Sequence, residues 1–504
     1  MDFARNFRGI LATPWEAISL GWCLHLLAFA LVAFHCLRNR REPTSALLWL
    51  FVAWFLPVLG PLLYLAFGIY KVPAKGLHKH KADQRLLAER RALEDSNLAL
   101  TYWRSVHETR EREPDSVEAR ELNRTMDSIL DEYPLLGGND VRLLLNGTEA
   151  YPAMLEAIRG ARHHVHLQCF LVRDDSVGRE FLEALAERAR AGVRVRFLYD
   201  RFGSTHAVLS GLFRRYRAVP NFTLVGWTQA NLLKRQFQIN LRNHRKLLIV
   251  DGREAFAGGI NLHAENRQQG ERLPIQDYHF ALRGPVIQEL QFVFLRDWYF
   301  MTNERPDALL KEEHFPPLPA CGSALVRVVN GGPSSRAEVF SDVFFLAMIA
   351  ARRQLWMVTP YFTPPLDLLH ALRAATLRGV DVRLVVPRIN NHAYAGLAGR
   401  ALYDELLDSG VRIYERRPPF MHAKALVVDD TLAVVGTANL DVRSLRLNYE
   451  TDLAVYDATF IETMKGVLQQ EMAMSDEIDL AVWRTRSLRQ RLMENFCSLL
   501  SPSL

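Results

Sequence analysis

The sequence predicts an α/β protein of two duplicated lobes, mixed sheets flanked by helices, preceded by a two-helix transmembrane hairpin. Three observations carry this. The pattern His-x-Lys, four residues, Asp, six residues, Gly-x-x-Asn occurs at His244, Lys246, Asp251, Gly258 and Asn261. It returns 178 positions on (244 to 422), at His422, Lys424, Asp429, Gly436 and Asn439, so the chain carries an internal duplication. Apolar strand-like runs alternate with helix-period segments from residue 136 onward, as in α/β domains. Two apolar stretches near the amino terminus have the length needed to cross a bilayer.

The hairpin comes first, over residues 1–70, with spans at about 18–37 and 45–70, the second carrying Pro57, Gly60 and Pro61. A cleaved signal peptide is the competing reading of the first stretch, but no small-x-small site follows it. Basic residues flank both outer ends (Arg5, Arg8; Lys71, Lys75, Lys79, Lys81, Arg85), although the loop holds Arg38, Arg40 and Arg41. The positive-inside rule then puts both ends, and the lobes, on the cytoplasmic side of the membrane. Residues 71–135, including the run Glu108–Glu113, read as a charged, helical, solvated connector.

The lobes are expected at 136–315 and 323–504, separated by Pro316, Pro317, Pro319 and Gly322. Further matches extend the duplication: 161–167 with 351–357, and 192–198 with 379–385. His163, His164 and His166 stand at a strand entrance with no Cys or carboxylate at ligand spacing, and read as sheet residues rather than a metal cluster. The tail from Trp483, with Arg484, Arg486, Arg489 and Arg491 beside Leu492, Phe496 and Leu499, reads either as an amphipathic interfacial helix or as a lobe-packing one. Five scattered cysteines offer no disulfide framework. A net charge of +6 favours anionic lipid and nucleic acid equally.

Each motif copy sits on a strand hairpin, 245–250 turning at Asp251-Gly252 and 424–428 turning at Asp429-Asp430. Side chains alternate along a strand, so His244 and Lys246 share a face while Asp251 points away. Asp251 and Asp429 are therefore expected to support structure. Gly258-Gly259 and Gly436-Thr437 let a ligand approach the backbone, and Asn261 and Asn439 can donate amide hydrogens toward it. Two imidazoles, two ammoniums and two carboxamides in one cleft suit a phosphate-centred transition state. Neutral imidazole is both a nucleophile and a proton carrier. No carboxylate cage accompanies the motifs, so neither metal nor other cofactor is expected.

This doubled motif resembles that of the phospholipase D superfamily. Its flanks, Pro418-Pro419-Phe420-Met421 before His422, Leu440-Asp441-Val442-Arg443-Ser444-Leu445 after Asn439, and Asn448-Tyr449-Glu450, resemble bacterial cardiolipin synthases of the two-span type. So do Thr359–Phe362, Tyr199–Ser204, Leu499–Leu504 and Pro57–Tyr64. The resemblance implies a phosphatidyltransferase that joins two phosphatidylglycerols into cardiolipin and glycerol through a phosphatidyl-histidine. It further implies that His244 attacks, that His422 moves the proton, and that Lys246, Lys424, Asn261 and Asn439 hold the phosphoryl oxygens. Glu450 and Asp277 would fix the outer ring nitrogens. Gly259 and Thr437 depart from a serine common in the family, which leaves the order of the histidines open. The implied partners are phosphatidylglycerol and anionic membrane lipids, with no nucleic acid. A phospholipase D-type hydrolase, a phosphatidylserine synthase, a superfamily nuclease and a non-catalytic membrane scaffold are the alternatives.

Overall fold

Short runs of β-branched and apolar residues build one sheet through both halves of the chain. The computed structural model describes residues 14–38, 43–68, 74–95, 113–227, 241–268, 270, 273–333 and 338–499. Arg5, Arg8, Arg40, Arg41, Lys71, the end of the second apolar stretch, most of Glu108–Glu113 and the last five residues lie outside them. The chain divides into two compact units, Met1–Val72 and Pro73–Leu504.

In the first unit a helix runs over Pro14–Arg38, and its part Ser19–Arg38 is, among the described residues, the one helix long and apolar enough to cross a membrane. The second stretch is not one continuous helix. Pro43–Phe55 is helical, the chain breaks at Leu56–Val58, and Leu59–Leu63 and a π-turn at Tyr64–Gly68 follow. Pro57 explains the break, since it has no N–H to donate and its ring crowds the preceding turn. The pieces are held by Val32, Cys36, Ala53 and Tyr64, with the Tyr64 hydroxyl 2.7 Å from His35 Nδ1. Leu24, Leu27, Leu31, Phe34, Leu48 and Phe51 remain exposed.

In the second unit the first lobe supplies β1 (Leu136–Leu145), β2 (His164–Cys169), β3 (Arg194–Asp200), β4 (Phe222–Trp227), β5 (Arg242–Asn243), β6 (Leu247–Val250), β7 (Glu254–Gly258) and β8 (Tyr278–Arg283). The second supplies β9 (Ala324–Gly331), β10 (Gln354–Val358), β11 (Phe362–Thr363), β12 (Asp381–Pro387), β13 (Arg412–Arg416), β14 (Ala425–Val428), β15 (Leu432–Gly436), β16 (Leu440–Asp441), β17 (Asn448–Tyr456) and β18 (Ser475–Glu477). β1 and β9 pair antiparallel at the centre. Outward from them the order is β8-β7-β6-β2-β3-β4 on one side and β17-β15-β14-β10-β12-β13-β18 on the other. The duplication is thus a duplication of sheet order, and the lobes share one sheet. In each half a parallel triplet (β2-β3-β4; β10-β12-β13) adjoins antiparallel hairpins.

The strands are buried on both faces because helices cover both sides. Helix Ser176–Arg190, capped by Asp175, covers one face of the first half, while helix Val286–Thr302, buried from Val286 to Trp298, lies on the other. Leu366–Leu377 and Ala458–Ala473 play the same parts in the second half.

The connector departs from its solvated reading. Helix Ala74–Asp95 packs along helix Val286–Thr302, burying Leu86 and Leu87. Lys79 reaches Asp297 at 2.9 Å and Arg90 reaches Glu289 at 2.7 Å. Its inward face is charged but paired, so it carries no hydrophobic stripe. His164 and His166 are indeed sheet residues, buried on β2, and His166 stacks on Phe294 with ring centroids 4.6 Å apart. The tail forms helices Leu480–Arg484 and Leu488–Ser498. Trp483, Glu494 and Cys497 face inward, while Leu488, Leu492, Phe496 and Leu499 are exposed, so the last helix packs by one face and leaves an apolar face open.

Candidate active site

Each His-x-Lys segment is an extended stub just ahead of its strand, and each crosses to the other lobe. β5 pairs parallel with β17, Arg242 opposite Asn448 and Asn243 opposite Tyr449, and His244 N donates to Tyr449 O at 2.9 Å. The second copy repeats this, with a bridge from Gln276 to Met421 and His422 N donating to Gln276 O at 2.7 Å. The crossing decides which carboxylate meets which ring. His244 Nδ1 lies 2.8 Å from Glu450 Oε2, and His422 Nδ1 lies 2.6 Å from Asp277 Oδ2. Each imidazole is oriented by an acid from the opposite lobe, leaving Nε2 to the cleft.

Glu450 is fully buried and its other oxygen accepts from Ser444 Oγ at 2.8 Å and Asn448 Nδ2 at 3.0 Å. Asp277 accepts from the Tyr278 N–H at 2.9 Å. A Cβ on Gly259 would collide with the Asp277 carboxylate, so the missing hydroxyl of the first half has a steric cause. Thr437, its counterpart, accepts from Thr451 N at 2.9 Å. Gly258 and Gly436 end their strands opposite His279 and Asp452.

Lys246 Nζ donates to the His244 carbonyl at 2.7 Å, and Lys424 Nζ to that of His422. Lys424 also lies 3.0 Å and 3.2 Å from the two ring nitrogens of His422, whereas Lys246 is not placed so against His244. Asn261 Oδ1 accepts from Leu171 N at 3.1 Å, which turns its amide nitrogen free for a ligand, and Asn439 donates to Ser444 Oγ at 3.2 Å. Both histidines and both asparagines line one cleft of about 570 Å³ between the lobes, the size of a ligand site. Phe170 and Tyr361 stand edge-on to His244 and His422.

Burial dominates the titration of the site. It pushes His244 and His422 down to about 4 against the opposing pull of Glu450 and Asp277, so both rings are neutral at pH 7 before a substrate phosphate enters. Burial lowers Lys246 and Lys424 to about 8. It would raise Glu450 and Asp277, but the neighbouring histidines and lysines outweigh it and hold both below the usual carboxylate range. The site can therefore present a neutral nucleophile, a second proton-carrying imidazole and two ammoniums to a phosphodiester. Among the described residues no group of three or more His, Cys, Asp or Glu is arranged to hold a metal ion.

The motif aspartates lie away from the cleft. Asp251 accepts from the N–H groups of Arg162, His163 and His164, and Asp429 from those of Arg352, Arg353 and Gln354, all at 2.8–2.9 Å. Each ties its hairpin to the entrance of the neighbouring strand. Asp429→Ala is expected to cost about 2–4 kcal/mol by stranding three N–H groups, read as a lower urea midpoint with the cleft chemistry retained in the folded fraction.

Two residues invisible to the motif reading complete the frame. Arg245, between His244 and Lys246, is 2 % exposed and donates to Asp297 at 2.6 Å, Thr451 at 2.9 Å and Asn330 at 2.6 Å. Asp297 also accepts from Asn243 at 2.7 Å and Gln168 at 2.6 Å. Ser444, present in the sequence reading only as a member of the stretch Leu440–Leu445, is held by the Asp441 cap and donates to Glu450.

Residues 154–298 and 346–472 match the family described as "Cardiolipin synthase, PLD-like domain". The chain belongs to this family of the phospholipase D superfamily. Residues 26–68 match a second family, "Phospholipase_D-nuclease N-terminal". Family members similar to this chain include the cardiolipin synthase of Geobacillus kaustophilus (strain HTA426), 33% identical over 495 residues covering 97% of this chain and 95% of that protein. Cardiolipin synthase 2 of Bacillus anthracis is 34% identical over 469 residues, 92% and 88% of the two chains. The crystal structure of phosphatidylserine synthase from Haemophilus influenzae Rd KW20 superposes with a TM-score of 0.60 at 15% identity, over 76% of this chain and all of that one. At that identity the likeness is one of fold.

Proposed function

We propose that the chain is a cardiolipin synthase, transferring a phosphatidyl group from one phosphatidylglycerol to another. The observation that supports it most is the meeting of two His-Asn pairs in one cleft, each His held by a carboxylate of the other lobe and backed by the Lys of its own motif. In the first step the negative charge of the bound phosphodiester favours the imidazolium of His422; His244 Nε2 attacks phosphorus, the bond to the headgroup glycerol oxygen breaks, and protonated His422 gives that oxygen its Nε2 proton, becoming neutral. In the second, His422 takes the proton from the primary hydroxyl of the incoming phosphatidylglycerol. The hydroxyl oxygen attacks phosphorus, the phosphorus–nitrogen bond breaks, and cardiolipin leaves. One phosphodiester replaces another, so no nucleotide is consumed. Lys246, Lys424, Asn261 and Asn439 stabilise the equatorial oxygens. Lys424, which crowds both ring nitrogens of His422, supports the reading of His244 as the nucleophile, the ring with the freer lone pair.

A lipid substrate also suits the surface. Phe202 and Tyr394 are exposed on the cleft rim. The helix Leu488–Ser498 packs on the helix carrying Tyr394, Ala393–Arg400, with its apolar face open. We read the apolar stretches of residues 18–70 as a membrane hairpin with both ends cytoplasmic.

The full chain in mixed micelles with labelled phosphatidylglycerol and a chelator is expected to yield cardiolipin and free glycerol. Phosphatidic acid alone would make it a hydrolase; no turnover would overturn both. The buried lysines set an upper pH limit. Their charge is present below about 8 and lost above it, so kcat/KM is expected to fall from about pH 8, by up to about tenfold per unit for each lysine required.

A further inference from the structure

A third histidine stands in the cleft and has no part in the chemistry above. His263 follows Asn261 by two residues on extended backbone, with φ −155° and ψ 155° at His263. Leu262 between them is buried in the core and bridges in parallel to Val172. Asn261 and His263 therefore point the other way, into the cleft that both line, roughly 7 Å apart along the chain. The Tyr151 hydroxyl fixes this stretch, 2.6 Å from the Asn261 carbonyl and 2.9 Å from that of His263. Backbone bonds place it on the His422 side: Glu265 O accepts from Ile275 N at 2.9 Å, and the next residue, Gln276, bridges to Met421 and accepts from His422 N at 2.7 Å. The His263 side chain is 5 % exposed, and its Nδ1 is buried without a hydrogen-bond partner, 3.9 Å from Glu265 Oε2. That carboxylate favours the proton on Nδ1, which leaves Nε2 as an acceptor. His164 and His279 are also buried with unpartnered ring nitrogens, but neither lines the cleft. At the duplicate position of the second lobe stands Asp441, which accepts from Ser444 N at 2.7 Å and caps its helix, whereas His263 makes no side-chain bond to the turn it precedes.

We propose that His263 recognises the glycerol headgroup, the secondary hydroxyl of phosphatidylglycerol donating a hydrogen bond to its Nε2. The inference rests on the transferase reading. Phosphorus is held beside Asn261, and the oxygen that leaves it or attacks it meets His422. The secondary hydroxyl sits on the carbon adjacent to the one carrying that oxygen, within reach of a residue one strand repeat beyond Asn261 on the His422 side. Glycerol is symmetric about that carbon. The departing headgroup of the first step and the terminal glycerol of the acceptor in the second therefore present the same hydroxyl to the same ring. A buried ring nitrogen that meets no hydroxyl forfeits the bond, so the site selects glycerol over a headgroup that lacks the secondary hydroxyl.

The test compares cardiolipin formation from phosphatidylglycerol with the equivalent condensation of its deoxy analogue, a lipid whose propanediol headgroup keeps the terminal primary hydroxyl and lacks the secondary one. The full wild-type chain in mixed micelles is expected to prefer phosphatidylglycerol by about 10- to 100-fold in kcat/KM. His263→Leu and His263→Met should slow phosphatidylglycerol by that factor and leave the deoxy lipid within about threefold, so that the preference disappears. His263→Gln, whose carbonyl can accept the same bond, should restore part of it. A ring that served structure alone would slow both lipids alike, and the preference would survive its loss. Equal use of the two lipids by the wild type, or a preference that persists in whichever apolar variant folds, overturns the recognition alone. Wild-type protein that makes no cardiolipin overturns the transferase reading and the recognition with it.

Discussion

His244→Ala and His422→Ala are each expected to lower cardiolipin formation by about four decades or more, and the double variant by little beyond either single one, because the two rings act as a unit. The expectation rests on exchange between them: the proton that one moves belongs to the bond the other breaks. A phosphatidyl ester of p-nitrophenol separates their roles, since that leaving group departs without a proton. His422→Ala should still release one equivalent of nitrophenol per chain as the phosphatidyl-enzyme accumulates, and His244→Ala should release none. A burst in His244→Ala and none in His422→Ala would reverse the order. Turnover of phosphatidylglycerol by either variant at a rate within tenfold of the wild type would remove histidine from the mechanism altogether. Glu450→Gln and Asp277→Asn keep the shape of each acceptor but not its charge, and should lower the rate by less than loss of the ring itself.

Much of this site was legible in the chain. The doubled motif, with alternation, separated His244, Lys246, His422 and Lys424 from Asp251 and Asp429, and the structure places those aspartates at strand entrances. What the chain could not show was exchange across the lobes. Nothing in the spacing says that Asp277 serves His422 and Glu450 serves His244, because that depends on β5 pairing with β17 and Gln276 bridging to Met421, contacts between segments roughly 150–200 residues apart. Arg245 escaped notice because the middle residue of His-x-Lys faces away from the cleft, where it joins Asp297 and the second lobe. The helical character of Ala74–Asp95 was legible but its packing was not, because Lys79 and Arg90, which it buries beside Leu86 and Leu87, are residues that periodicity assigns to solvent. The second apolar stretch has the composition of a span, but Pro57 divides it into pieces that pack on the first helix.

Acid is expected to destabilise the protein well above the pH at which its exposed carboxylates protonate. Burial lowers His164, His166, His244, His263, His279, His314 and His422 in the folded chain, to about 4 for the last five. Below about 6.5 the unfolded chain takes up protons on these rings and the folded chain does not, so stability falls with pH over the window from about 6.5 down to about 4. Asp452 and Asp441, raised by burial to about 7 and about 6, take up protons in the folded chain over the same window and offset about two of the rings. If four of the seven rings count fully, the net loss between pH 6.5 and 5 is about 3 kcal/mol, a large share of a typical stability of about 5–15 kcal/mol. Glu450 and Asp277 do not confuse the result: their folded values are lowered, so their contribution is lost only below about pH 4.5. Urea midpoints at pH 7, 6 and 5 measure the slope, and a flat series would refute the account. His164 tests its origin, because both its ring nitrogens are buried without partners. In His164→Leu no hydrogen bond is lost, and the slope should shrink by that one ring's share. The burial that makes His244 and His422 neutral at pH 7 is the same burial that makes the fold acid-labile, and only these two of the seven rings stand in the cleft with a carboxylate of the opposite lobe at Nδ1.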